Sequence, residues 1–168
     1  AGWDSPGDAA DFFRLRPAGS EVAGIYLFRD PDPASQEASC PEAAEPGVGT
    51  SAVELATWIR SLPGLVVSDP VPVTVGGLTG VGLDVGIVDG WTASCPFANG
   101  LPTVPLFGGR TNGLRWGVAG SERLLLEILD VPGSGTVVVD VDAFDGSLFD
   151  GFLPVATPIV KSLRFATP

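Results

Sequence analysis

Arg123-Leu124-Leu125-Leu126-Glu127-Ile128-Leu129-Asp130, then Pro132-Gly133-Ser134-Gly135, then Thr136-Val137-Val138-Val139-Asp140-Val141-Asp142 is the stretch that decides the fold. Two runs rich in β-formers are joined by a short Pro/Gly turn, and so short a turn forces antiparallel neighbours. Leu114 to Ala119, joined through Gly120-Ser121, extends the pair to an expected three-stranded meander. Upstream, Val71 to Val75 and Leu78 to Val88 flank Gly76-Gly77, a two-residue hairpin turn. In Leu78 to Val88 the apolar Val81, Leu83, Val85 and Ile87 alternate with Gly82, Asp84 and Gly86, giving one buried and one open face. Phe12 to Arg16, Glu21 to Arg29 and the short Leu65 to Ser68 complete the expected strands. Residues 1–10 are small and polar and are expected to be a flexible lead-in.

Two segments have helical periodicity. In residues 51–62, Ser51 and Glu54 have capping-box spacing, and Leu55, Trp58, Ile59 and Leu62 share one face before Pro63-Gly64 ends the helix. In residues 147–163, the apolar positions 148, 152, 155, 159 and 163 approach the helical period. Pro154 and Pro158 each remove an amide donor, so a kinked helix or two short ones are expected. Leu163-Arg164-Phe165 should end as a strand or dock by its Leu and Phe. The fold class is therefore α+β: one domain over residues 1–168, with a twisted antiparallel sheet and two main helices packed on it.

Composition narrows the function. With 9 basic and 20 acidic residues, the net charge of −11 opposes nucleic-acid and anionic-membrane partners. No run of about 20 apolar residues spans a bilayer. Histidine is absent, so a Ser-His-Asp arrangement is excluded and a catalytic zinc site is disfavoured. Lys161 is the only lysine, and Pro158 stands where a Ser-x-x-Lys serine would be. Gly80-Val81-Gly82-Leu83-Asp84-Val85-Gly86 superficially matches a dinucleotide fingerprint, but it lies inside an alternating strand and does not open a helix. No cofactor is implied.

Cys40 and Cys95 are the only cysteines, and each is followed by a proline in an irregular segment. An even pair of this kind reads as a disulfide and points outside the cytosol. A chain that begins at Ala1 without Met is what a mature exported protein or an ectodomain fragment shows. The expected bond would join the loop of residues 30–49 to that of residues 89–111. The second loop carries Trp91, Phe97, Leu101, Phe107 and Arg110. Long loops of this kind are usually functional. Trp91, Phe97, Phe107 and Arg110 are the candidate ligand-binding rim. Asp140, Asp142 and Asp145 resemble a calcium loop that is one residue out of step, and they form the alternative metal candidate. Structural roles for the three compete with it, with Asp145 capping the next helix.

Four motifs carry a family resemblance. They are Val53-Glu54-Leu55-Ala56-Thr57-Trp58-Ile59-Arg60-Ser61-Leu62-Pro63-Gly64-Leu65, Pro72-Val73-Thr74-Val75-Gly76-Gly77-Leu78-Thr79-Gly80, Trp91 with Ser94-Cys95-Pro96, and Pro158-Ile159-Val160-Lys161-Ser162-Leu163-Arg164-Phe165. In this order the chain resembles an uncharacterised family of exported or membrane-tethered domains from high-GC Gram-positive bacteria. More distantly, its element order is similar to PsbP-like lipoproteins. The resemblance implies an extracytoplasmic location and no known catalytic residues. The expected function is a non-catalytic module that binds a protein or small-molecule ligand at the cell surface. The alternatives are a carboxylate-dependent hydrolase of cell-wall or glycan substrates and a structural spacer.

Overall fold

The computed structural model describes residues 2–108, 115–133 and 135–165. The chain is α+β, as its periodicity requires. The strands are β1 (Trp3–Asp8), β2 (Phe12–Pro17), β3 (Ala23–Arg29), β4 (Asp32–Pro33), β5 (Leu65–Val67), β6 (Val71–Val75), β7 (Leu78–Ile87), β8 (Thr103–Gly108), β9 (Arg115–Ala119), β10 (Arg123–Val131) and β11 (Gly135–Ala143). The helices are α1 (Ala52–Ser61) and α2 (Gly146–Ser162).

Among the described residues, the large antiparallel sheet runs β1-β2-β3-β11-β10-β7-β5, with β6 also paired to β7. The β10–β11 hairpin is in continuous register from Arg123↔Ala143 to Val131↔Gly135. The β6–β7 turn places Gly76 and Gly77 at φ 58° and 90°, the left-handed region that glycine enters without strain.

Each face of this sheet carries its own core. Ile25, Leu129, Val139 and Val141 point to one side, beneath Phe149, Phe152, Ala156 and Val160 of α2. Phe28, Leu83, Val85, Leu124, Leu126 and Ile128 point to the other, beneath Leu55, Ala56, Trp58 and Ile59 of α1. The capping box of α1 forms as expected, with Ser51 and Glu54 bonding each other's backbone amides.

Four expectations are corrected. Residues 1–10 are not simply a lead-in, because β1 pairs with β2 and Trp3 packs 6.2 Å from Phe152. The buried face of α2 is Phe149, Phe152, Ala156 and Val160, whereas Leu148 and Val155 are exposed. The Asp145 cap sets the rotation, which turns the larger Phe149 inward in place of Leu148. Of the two forms expected, the pair of short helices is ruled out, since α2 runs unbroken through Pro154 and Pro158. Both lie on its exposed side, where the carbonyls deprived of an amide can meet water. Finally, β9 does not extend the meander but joins a second sheet of order β4-β8-β9. The chain turns at Gly120-Ser121 and the buried Glu122, whose Oε2 accepts from the Ala119 amide at 2.8 Å. β9 pairs with β8, which itself lies inside the segment expected to be a long loop. The small sheet covers the part of the α1 side that the helix leaves open.

Candidate functional site

The site begins with the alternation of β11. Val137, Val139, Val141 and Ala143 face α2, so Asp140 and Asp142 must face the small sheet. Both aspartates are 0% exposed. Strand pairing sets Tyr26 opposite Asp140 and Gly24 opposite Asp142. The Tyr26 ring leans over Gly24, where an added Cβ would lie 3.0 Å from the phenol oxygen. The tyrosine hydroxyl is thereby carried toward Asp142. Arg14, opposite Tyr26 on β2, holds its guanidinium 5.3 Å from the phenol ring centre.

The small sheet supplies the roof. Trp116 of β9 packs on Tyr26 with ring centres 4.4 Å apart, and its Nε1–H donates to Asp140 Oδ2 at 2.8 Å. Glu122 enters from the turn after β9, and its carboxyl hydrogen-bonds that of Asp142. Two carboxyls can bond in this way only when a proton lies between them. Without that proton, neither oxygen of Asp142 has a partner; Asp140 Oδ1 has none either, and the Tyr26 hydroxyl has only the Arg14 guanidinium beside it.

Electrostatics follow from this geometry. Burial pushes Glu122 up to about 7, against opposing hydrogen bonds from Asp142 and the Ala119 amide. Burial, with the neighbouring Glu122 and Asp140, raises Asp142 far above the carboxylate range. Burial and Glu122 likewise raise Asp140, opposed by the Trp116 hydrogen bond. Tyr26 is raised by burial and then by Asp142. At neutral pH the layer therefore keeps protons that exposed carboxylates would have lost.

A cavity of about 280 Å³ adjoins the layer, with Phe97, Leu101, Arg115, Trp116, Glu122 and Phe144 in its wall. A larger one, about 520 Å³, lies on the other side of Glu122 and includes Asp84, Asp89, Trp91 and Arg123. A third, about 270 Å³, sits beside Cys40, Cys95 and Trp91. Glu122 thus borders two cavities, and Trp91 borders two.

The disulfide holds this region in place. Cys40 and Cys95 are bonded, with Cα atoms 5.7 Å apart across 55 residues of sequence. Closing a loop of that length contributes about 4 kcal/mol in the chain-entropy account. Gln36 adds a bond from Nε2 to the Pro105 carbonyl at 2.8 Å, and Glu42 pairs with Arg115. Cys95 leads directly into the 3-10 turn Pro96–Ala98 that carries Phe97.

The expected rim is only partly assembled. Trp91 is half-buried and donates its Nε1–H to the Thr103 carbonyl at 3.1 Å. Phe97 is half-buried and reaches a cavity wall. Phe107 is not on the rim: it is 1% exposed in β8, 5.7 Å from Phe28, because the strand alternation turns it into the core. Arg110 lies outside the described residues. The calcium arrangement does not assemble either, because Asp145 is an exposed helix cap accepting from the Ser147 amide at 3.0 Å while Asp140 and Asp142 are enclosed. Among the described residues no group of three His, Cys, Asp or Glu side chains is arranged to hold a metal. None of their helices is long and apolar enough to cross a membrane.

Glu122, Trp116 and Tyr26 escaped the sequence reading. Their one local signal was the pair of aspartates two apart in a valine-rich strand. Compared with protein-family models, curated proteins and solved structures, the chain gives no match.

Proposed function

We propose that this chain is a non-catalytic extracytoplasmic module that binds a small ligand in the cavity between the Phe97 turn and Trp116. The observation that carries this reading is the adjacency of that cavity to buried polar atoms without partners. Buried titratable groups must hold protons or find partners, so a fold that keeps three carboxyls in one layer gives up stability there. A spacer domain has no use for that cost. The disulfide and the resemblance to exported and membrane-tethered domains support the location.

A carboxylate-dependent hydrolase needs two carboxyl groups facing one substrate. In the 280 Å³ cavity Glu122 is the one carboxyl of the wall, while the larger cavity adds Asp84, held by Arg123 at 2.9 Å, and the exposed Asp89. Binding is therefore the better-supported activity.

The test is a screen of small metabolites and cell-wall glycans, read by the Trp116 indole N–H resonance and by melting temperature. A ligand should shift that resonance, raise the melting temperature, and lose affinity in Phe97→Ala. If no compound moves the resonance at millimolar concentration, the reading fails. Glycan turnover abolished by Glu122→Gln would establish the hydrolase instead.

A further inference from the structure

The chemistry of the cavity wall says what kind of ligand it takes. Phe97, Leu101 and Phe144 give it an apolar and aromatic rim, with Leu101 and Phe144 exposed. Trp116 contributes an indole whose N–H is already committed to Asp140. Glu122 is the acidic group in the wall. Arg115, the wall's cation, is paired with Glu42.

Behind Glu122 stand the enclosed oxygens of Asp140 and Asp142 and the hydroxyl of the buried Tyr26, beside Arg14. None of these three residues is in the cavity wall, and with their protons retained they donate as well as accept, so the sign of the ligand's charge follows from Glu122 and the aromatic wall. We propose that the cavity is a site for a small organic cation, an ammonium group on an apolar body. Its charge would sit against Glu122 and its body among Phe97, Trp116 and Phe144. This proposal rests on the binding reading above and adds the sign of the ligand's charge. Aromatic faces attract cations, and a desolvated carboxylate does so more strongly.

Proton release accompanies capture. The cation favours ionised Glu122, so the proton that Glu122 holds leaves to solvent as the ligand enters, while Asp142 keeps its own. The groups that bias this exchange are Asp140 and Asp142 from β11, Tyr26 from β3 and Arg14 from β2. Arg115 of β9 is held by Glu42, and Arg123 of β10 is held by Asp84 at 2.9 Å and Asp150 at 3.0 Å. Neither is free to neutralise Glu122 in the ligand's place. Because burial sets Glu122 to about 7, cation affinity should rise as pH increases toward that value and level off above it.

The experiment compares choline, whose charge is permanent, with neohexyl alcohol, its uncharged carbon isostere. Both are titrated into the intact, oxidised protein while the Trp116 indole resonance is followed. Choline should bind roughly tenfold more tightly than the alcohol at about pH 8 and lose roughly tenfold or more by about pH 5.5. Glu122→Gln should remove both the preference for choline over the alcohol and the pH dependence. The wild-type comparison stands on its own should that variant fold poorly. If the alcohol binds as tightly as choline, the cavity is a ligand site but not a cation site, and this proposal alone falls. If neither moves the resonance, the cation proposal is overturned, and the broader reading is then decided by the metabolite and glycan screen. Choline binding with no pH dependence would place the cation away from Glu122 and overturn the assignment.

Discussion

The two faces of β11 are opposite in chemistry. On one, Val139, Val141 and Ala143 lie under Phe149 and Phe152 of α2, a dry apolar layer. On the other, one residue away along the same strand, Asp140 and Asp142 lie equally buried beneath Trp116. Burial of apolar area stabilises the first face by roughly 25 cal/mol per Å². The second places titratable groups where water cannot reach them, and such groups hold protons or destabilise the fold. Along β11 the α2 side is purely apolar, and the proposed function belongs to the side of the small sheet.

The largest effect that would sharpen this contrast is on the apolar face. Phe149→Ala should cost about 3–5 kcal/mol in denaturant unfolding, equally at acid and neutral pH, since nothing titrates in that contact. Phe149 is 1% exposed and also carries the Arg123 guanidinium 4.5 Å above its ring centre. A loss below about 1 kcal/mol would mean the helix is not the stabilising half.

The polar face should show itself through pH. Glu122 binds its proton more tightly folded than unfolded, since it rises from 4.5 to about 7. Between those values the native state holds more protons than the unfolded chain. The stabilisation is complete below about pH 4.5 and is lost as pH rises through about 7. That loss amounts to roughly 3 kcal/mol from Glu122 alone, with Asp142 and Asp140 steepening it in the same direction. Stability measured by urea titration should therefore fall from about pH 5 to about pH 8. A rise over that interval would reverse the assignment.

The smallest effect is the most discriminating. Asp142→Asn replaces a protonated acid with a neutral group of the same shape. It should change stability by about 1 kcal/mol or less near pH 5 and flatten the decline above it. A loss comparable to that of Phe149→Ala would show that Asp142 is held as a charge.

Some of this was legible in the chain itself. The capping box at Ser51 and Glu54, the Gly76-Gly77 hairpin and the β10–β11 pair are local devices, decided by residues a few positions apart. Cys40 and Cys95 were readable because no other cysteine competes. The acidic layer was not, because its parts meet only through pairing of β3 with β11 and through the departure of β9 to a second sheet. Gly120-Ser121 looks like a hairpin turn, and nothing nearby announces that Glu122 is buried and holds the Ala119 amide. Phe107 illustrates the converse. Its place in an apparent loop suggested a rim, and strand formation by Thr103–Gly108 carried it into the core.

The central claim is that the face beneath the small sheet keeps a proton at Glu122 that an exposed carboxyl would have lost. Carbon-detected NMR of the Glu122 side-chain carboxyl across pH 4 to 9 measures this directly. A titration midpoint of about 7 is the predicted result. A midpoint near the ordinary 4.5 would contradict it, and with it the assignment of function to this side of the sheet.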